Sequence, residues 1–487
     1  MNKIAVVGGG TAGLVSALIL KRKFSNLKID VIRSEKIGII GVGEGSTEHW
    51  KEFMNFVGIS DQQLIQHTDA TPKLGIMFED WNKRPYFQSI QKEYDIKMGQ
   101  YHSGYGYFIK DNVPPLRLGQ KYYVENNLPK AEVRNFLLQN TSPANQYHFN
   151  TVKLNEFLSQ LCLERGINII NDEVKDVVIN EEGIDKLIGE RYEHNYDFYV
   201  DSTGFQKLLI SKLGAKWQSY SQYLKMNEAI AFQTKDTDNY NSWTLAKAMS
   251  AGWMWRIPVW ERWGNGYVFD NNYINAEQAK KEVEDYLGYE ITIGKNVTFN
   301  PGCLDNVWIK NCVAIGLSAN FVEPLEASSI GTSIQQAFLL VHYLPNYKKT
   351  KGIEIYNKKI NHIMHNIRDF IILHYLNEKN DTPFWSELDR TNIPDSLKEK
   401  LEVWKHRLPI SEDFENSNYY LFTAAHHLLV LYGNNHFDVG SIRQEYDMMS
   451  DEMKNITTNT ITNTQAYDYM PTITNKEYIR MVRELKI

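Results

Sequence analysis

The chain has 487 residues, and its 53 Lys plus Arg against 59 Asp plus Glu leave a net charge of −6. That mild acidity excludes the basic face of a nucleic-acid binder, and 43% apolar with 23% charged residues excludes wholesale disorder. No uninterrupted apolar stretch is long enough to span a bilayer, so no membrane partner is expected. The opening Met1-Asn2-Lys3, running into Ile4-Ala5-Val6-Val7, does not read as a signal peptide. Three scattered cysteines (Cys162, Cys303, Cys312) without a CxxC indicate neither a disulfide framework nor a zinc site. The expectation is a soluble, cytoplasmic protein.

Residues 1–40 predict a βαβ unit: the apolar strand, then Gly8-Gly9-Gly10-Thr11-Ala12-Gly13, then a helix through Leu14, Ala17, Leu18 and Leu20, then strand Ile29-Asp30-Val31-Ile32. A helix is expected at Val152–Arg165, strands around Ile167–Ile179, and a strand Tyr196–Val200 leading into Asp201-Ser202-Thr203-Gly204. Residues 225–310 hold β-like runs rich in Trp and Tyr. Strand Cys312–Ile315 leads into a helix starting near Ile330. Beyond that, Tyr356, Ile360, Ile363, Ile367, Phe370, Ile371 and His374 form a helical stripe. Residues 396–435 also read as helical, and the Asn/Thr-rich stretch Asn455–Thr464 as a loop. The division expected is 1–345 for a nucleotide-binding module and 346–487 for a helical part.

Gly8-x-Gly10-x-x-Gly13 follows a strand and opens a helix, the context of a dinucleotide fingerprint. Gly8 permits the tight turn, Gly10 admits a pyrophosphate, and Gly13 brings helix and strand together. The helix amides at Thr11 and Ala12 face the phosphates. The ribose-binding acid expected after the second strand is met by Arg33-Ser34-Glu35, with Arg33 in the usual slot and Glu35 as the nearest acid. Further strand-end glycines at Gly41-Val42-Gly43-Glu44-Gly45, Asp201–Gly204 and Ala314-Ile315-Gly316-Leu317 favour an extended FAD over a nicotinamide.

Gly252-Trp253-Met254-Trp255-Arg256-Ile257-Pro258 contains W-x-W-x-I-P. With Gly41–Glu44, Pro72-Lys73-Leu74-Gly75-Ile76, Asp201–Gly204 and Phe321-Val322-Glu323-Pro324-Leu325-Glu326 in the same order, the chain resembles flavin-dependent halogenases of the tryptophan halogenase type over residues 1–345. The resemblance implies an α/β fold: a Rossmann-like FAD module of the glutathione-reductase or hydroxylase type, with an antiparallel sheet and a helical C-terminal part. It implies that FADH₂ and O₂ oxidise halide to hypohalous acid, which reaches a separate site and halogenates an electron-rich aromatic.

The resemblance also assigns residues. Lys73 matches the lysine that holds the oxidant. Its neighbours Leu74, Ile76, Met77 and Phe78 are apolar, and an ammonium partly withdrawn from water becomes more nucleophilic. Glu326 matches the acid that orients the oxidant and accepts the ring proton. An acid before a helix otherwise complements the helix dipole. Ser328 and Ser329 are the halide candidates, since amides at a helix start hold anions; the alternative is a plain serine cap. The family reads E-S-T-G-I or E-S-S-G-I where this chain reads Glu326-Ala327-Ser328-Ser329-Ile330. Trp253 and Trp255 share a strand face and match the pair that keeps substrate from the flavin. Gly43, Glu44, Gly45, Val174, Asp201, Gly204, Leu317 and Ile330 are carried over as flavin contacts.

One dinucleotide fingerprint implies a separate flavin reductase as electron source, and a homodimer is compatible with the sequence. His362 and His365 lack the further ligands of a metal site. The C-terminal part offers Tyr419-Tyr420 and Phe422, but the helix Ala424-Ala425-His426-His427-Leu428-Leu429 has no tryptophan and no partners for a zwitterion. A small phenol or indole is therefore expected over free tryptophan, with bromide or iodide accepted beside chloride. The rival readings are a tryptophan halogenase proper and a flavin aromatic hydroxylase. The hydroxylase stretch G-D-A-A-H is here Gly316-Leu317-Ser318-Ala319-Asn320. A non-catalytic flavin module is the third reading, against which Lys73 and Glu326 speak.

Overall fold

A computed structural model describes residues 1–38, 44–89, 104–105, 124–139, 143–238, 240–414, 420–466 and 469–485. The chain forms two compact units, each assembled from three stretches. The first holds Met1–Asp69, Phe149–Leu224 and Phe299–His365; the second holds Ala70–His148, Lys225–Thr298 and Asn366–Ile487.

The first unit is built on strand β1 (Lys3–Val7), helix α1 (Thr11–Lys23) and strand β2 (Lys28–Arg33). β1 lies between β2 and strand Phe198–Asp201; outside these run Asn168–Asn171 on one side, and Cys312–Ala314 and Trp308–Ile309 on the other. All pairings are parallel except the last. Ile4, Ala5 and Val6 are fully buried, as parallel strands covered on both faces require. α1 packs against helices Thr151–Glu164 and Ser328–Tyr343. The sheet, the α/β class and the helix expected at Val152–Arg165 agree with the sequence reading.

The second unit contains a seven-stranded sheet in the order Ile293–Thr298, Glu228–Lys235, Arg262–Phe269, Gly252–Val259, Thr244–Met249, Gly75–Glu79, Tyr86–Ser89. It is antiparallel except between Thr244–Met249 and Gly75–Glu79. One face carries Ile230, Phe232, Met254, Tyr267 and Phe269, packed with Ala279 and Val283. The latter two lie on helix Ala276–Leu287, which the sequence reading did not resolve. Its signal was present: Asn275 and Gln278 form a reciprocal capping box.

One expectation is corrected. The Asn/Thr-rich stretch is no loop but helix Asp451–Ala466. Asp451 and Glu452 complement the positive end of the helix dipole, and Thr457 and Ile461 are fully buried one turn apart. The Thr460 hydroxyl donates back to the Ile456 carbonyl at 2.9 Å, so a residue type that favours turns is absorbed into the helix.

Candidate active site

In the first unit the parallel strands bring four loops to one sheet edge, since Val7 is level with Ile32 and Asp201, and Asp201 with Ala314. Ligands in such sheets bind beyond these carboxyl ends. Gly8 has φ +116°, and a side chain there would overlap the Ser202 carbonyl; one at Gly13 would overlap the Gly8 carbonyl. Gly10 is different. It is extended (φ −77°, ψ 177°) and caps α1 without a side-chain bond, and a Cβ there would have no atom within 4 Å. The first-turn amides of α1 therefore face an open side, with no acidic residue in that turn.

Helix Thr151–Glu164 adds a feature missed from sequence. Thr151, Asn155 and Ser159 recur every four residues and are all buried. Asn155 donates to Thr11 Oγ1 at 3.1 Å, and the Arg33 guanidinium donates to Ser159 Oγ at 3.0 Å. Thr151 Oγ1, Asn155 Oδ1 and Ser202 Oγ are buried with no hydrogen-bond partner. Buried polar atoms ordinarily have one, so this edge fits the hydroxyls and phosphates of a dinucleotide. The signal was the Thr-x₃-Asn-x₃-Ser spacing, readable only once the helix is known to face the fingerprint.

Other candidate residues are placed individually. The Arg33 stem lies against Gly9, and Glu35 is exposed. Glu44 and Gly45 form a two-residue strand; Gly43 lies outside the described residues. Val174 opens strand Val174–Asn180 in a separate three-stranded sheet, paired with Gly189. Asp201 is fully buried and bonded internally. One oxygen accepts from the Thr203 N–H and hydroxyl at 3.0 and 2.7 Å. The other accepts from the Leu209 and Ile210 N–H groups, each at 2.9 Å. It thus shapes the loop carrying Gly204, whose φ is +68°. Leu317 sits half-buried in turn Gly316–Ser318, where the Gly316 N–H donates to Gln336 Oε1 at 3.0 Å.

The turn into helix Ser328–Tyr343 is strained. Glu326 (φ 67°) and Ala327 (φ 52°) are successive left-handed residues, a conformation costing about 1–2 kcal/mol for each non-glycine residue. Glu326 is buried. The cap position is Ala327, with no side-chain cap bond, so the plain serine cap is not what forms. Ser328 and Ser329 instead occupy the first turn, and Ile330 is buried behind them. The Ser328 and Ser329 carbonyls accept from Thr332 and Ser333 hydroxyls, each at 2.8 Å.

In the second unit Lys73 ends strand Thr71–Lys73 and is fully buried, its strand pairing antiparallel with Gln146–Phe149. Thr71 lies opposite His148, a residue the sequence reading did not single out. His148 is fully buried beside the Lys73 charge; burial first, then that charge, hold its pKa well below the ordinary imidazole value. The imidazole contacts Thr71 Oγ1 through Nδ1 at 3.3 Å and Thr244 Oγ1 through Nε2 at 2.9 Å. The Thr71 hydroxyl donates to the Pro258 carbonyl at 2.7 Å.

Pro258 belongs to the strand of Trp253 and Trp255, whose rings lie 6.0 Å apart on one face. Trp255 lies across its pair partner Gly266, where any side chain would overlap the indole. Ala246 and Ala248 pair with Trp255 and Trp253, so small residues make room for both rings. Of the C-terminal candidates, Tyr419 lies outside the described residues, and Phe422 stacks on Phe370 at 4.1 Å.

The family model described as tryptophan halogenase matches residues 3–453. The chain is 31% identical over 453 residues to "7-chloro-L-tryptophan 6-halogenase KtzR" of Kutzneria sp. (strain 744), covering 84% of this chain and 86% of that one. It is 30% identical to "Tryptophan 6-halogenase SttH" of Streptomyces toxytricini, covering 85% of each. A solved tryptophan halogenase from Shewanella frigidimarina superposes with a TM-score of 0.90 at 27% identity, covering 99% of this chain and 98% of that chain. With the family model matching nearly the whole chain and a relative 31% identical over most of its length, the chain belongs to the tryptophan halogenase family.

Proposed function

We propose that this flavin-dependent halogenase acts on a small electron-rich phenol or indole in preference to free tryptophan. Its cofactor is FAD, used as FADH₂, which with O₂ supplies the oxidising equivalent that turns halide into hypohalous acid. Gly8, Gly10, Thr11, Ala12, Gly13, Arg33 and the Thr151–Asn155–Ser159 stripe hold the dinucleotide part. Glu44, Gly45, Val174, Gly204, Leu317 and Ile330 complete the flavin contacts. Asp201 sets the Gly204 loop, and the uncapped amides at Ser328 and Ser329 attract halide.

Lys73 holds the oxidant. The ring's π electrons form the carbon–halogen bond as the oxygen–halogen bond breaks. The departing hydroxide takes a proton from the Lys73 ammonium and leaves as water, and Glu326 takes the ring proton, whose return to the lysine restores both groups. Trp253 and Trp255 keep the aromatic from the flavin. Residues 346–487 supply the substrate-facing helices, a separate reductase supplies the reduced flavin, and a homodimer fits this reading.

One observation carries the substrate preference. In the C-terminal part, half-buried Arg368 pairs with Asp369, Arg407 with Asp413, and Arg390 donates to the Trp385 and Lys379 carbonyls. His427 is buried, with its pKa lowered to about 3. These groups are committed within the protein, and a zwitterion buried without counter-charges is disfavoured. The test is product formation from a panel of phenols, indoles and free tryptophan with chloride, bromide and iodide. Phenols or simple indoles should react faster, with bromide or iodide accepted. Efficient single-position chlorination of free tryptophan, faster than of the simple rings, refutes the preference.

A further inference from the structure

His148 links its own ladder partner, the Thr71–Lys73 strand, to the strand of Thr244 in the seven-stranded sheet, and Thr71 in turn reaches the strand of Pro258. The direction of each bond in its network follows by elimination. The Pro258 carbonyl can only accept, so the Thr71 hydroxyl donates its one proton there, at 2.7 Å. Thr71 Oγ1 can then only accept from His148, which places the imidazole proton on Nδ1. Nε2 of the neutral ring must accept, so the Thr244 hydroxyl donates to it at 2.9 Å. The chain of donors runs Thr244 to His148 to Thr71 to Pro258. Ending on a carbonyl, it has no outlet for a proton; it is a clamp and not a relay.

The clamp's two ends are informative. Thr71 is two residues before Lys73 on the same short strand, and Pro258 is three residues after Trp255 in the tryptophan-bearing strand. Thr244 opens the intervening strand, level with Ile76, three residues beyond Lys73. A buried imidazole with both nitrogens engaged is costly to replace by a group that leaves the hydroxyls unpaired. We propose that His148 is a positioning residue, its neutral Nδ1–H tautomer fixing the Lys73 strand against the Trp253–Trp255 strand so that the lysine meets the oxidant in register with the aromatic substrate. This rests on the assignment of Lys73 made above. The neutral state also keeps a second positive charge away from Lys73, whose charge adds to burial in lowering the His148 pKa.

The experiment measures the partition of oxidant in the intact protein, with an external reductase and FAD supplied. Total hypohalous acid is measured with a chemical trap, and halogenated product by mass spectrometry, for T71V, H148F, H148N and K73A. T71V is near-isosteric and removes two links without opening a cavity. Misplacement near 1 Å costs rates on the order of 10²-fold. H148F and T71V are therefore expected to lower product per hypohalous acid by about 10-fold or more. Substrate KM, FAD affinity and hypohalous acid formation should hold. H148N keeps a donor at the Nδ1 position and should recover most of the loss. If T71V and H148F keep the wild-type partition while K73A loses product, the positioning role is overturned and the lysine assignment stands. If K73A also keeps product, the lysine assignment itself falls. A parallel loss of hypohalous acid formation and FAD affinity in soluble T71V marks a merely structural role and overturns the proposal.

Discussion

Gly10 caps α1 and Gly13 lies three residues on in its first turn, yet the geometry assigns them opposite sensitivities to a single methyl group. At Gly10 a Cβ meets nothing within 4 Å, and φ −77°, ψ 177° is extended backbone open to alanine. Ala is a poorer helix cap than Gly, so Gly10→Ala should cost the protein about 1 kcal/mol or less. The methyl group enters the side left open for the pyrophosphate, and FAD affinity should fall at least ~10-fold, or ~1.4 kcal/mol. At Gly13 the methyl group collides with the Gly8 carbonyl. Such overpacking costs about 1–3 kcal/mol, which for a unit of this size lowers the apparent Tm by roughly 2–12 °C. Melting with and without FAD separates the two effects. Ligand at 100 times its Kd stabilises by ~2.7 kcal/mol, so wild type should show a clear upward shift that Gly10→Ala loses. Gly13→Ala should melt lower while retaining most of the shift. Wild-type FAD affinity in Gly10→Ala, measured by flavin fluorescence quenching, would refute the reasoning about the open side.

Three further outcomes are expected. Lys73→Ala should abolish halogenated product while flavin reoxidation continues, and Glu326→Gln should slow product strongly with FAD affinity nearly unchanged; retained regioselective activity in Lys73→Ala counts against the assignment. Halogenation should require an added flavin reductase, so steady turnover with NADH and FAD alone would show the single-fingerprint argument to be wrong. His427 is held neutral by burial first, with Lys400, His426 and His374 adding to the effect and a hydrogen bond to the Thr423 carbonyl opposing it. Its pKa is about 3 in the folded chain against 6.5 unperturbed. Its contribution is thus fully present above pH 6.5 and lost on acidification toward pH 3, at about 1.4 kcal/mol per pH unit. Stability measured from pH 7 to 4 should fall less steeply in His427→Gln than in wild type.

The sequence carried most of the first unit because its information is local. A glycine fingerprint between an apolar strand and a helix is complete within a dozen residues, and Asp201–Gly204 lies at a strand end visible in the pattern. The missing parts depend on pairing across the chain. His148 acquires its neighbours only because Thr71 lies opposite it in an antiparallel ladder, and no spacing rule links those positions. Glu326 and Ala327 carry left-handed backbone that residue identity gives no reason to expect, since neither is Gly or Asn. Asp201 shows a different gap: its place was legible, but its four internal bonds are not written in a D-S-T-G string. The Asn455–Thr464 error came from composition outweighing two buried positions a turn apart.

The interleaving of the two units has a consequence for how the protein is made. The first unit draws its last stretch from Phe299–His365, so strand Phe198–Asp201 leaves the ribosome long before Cys312–Ala314 arrives to cover its free edge. At synthesis rates of about 5–20 residues per second, that edge waits roughly 6–20 s. The nucleotide-binding sheet cannot close until about two-thirds of the chain has emerged. Fragments ending before that point should expose an unpaired strand and aggregate, and a flavin-binding piece cannot be excised as one continuous segment.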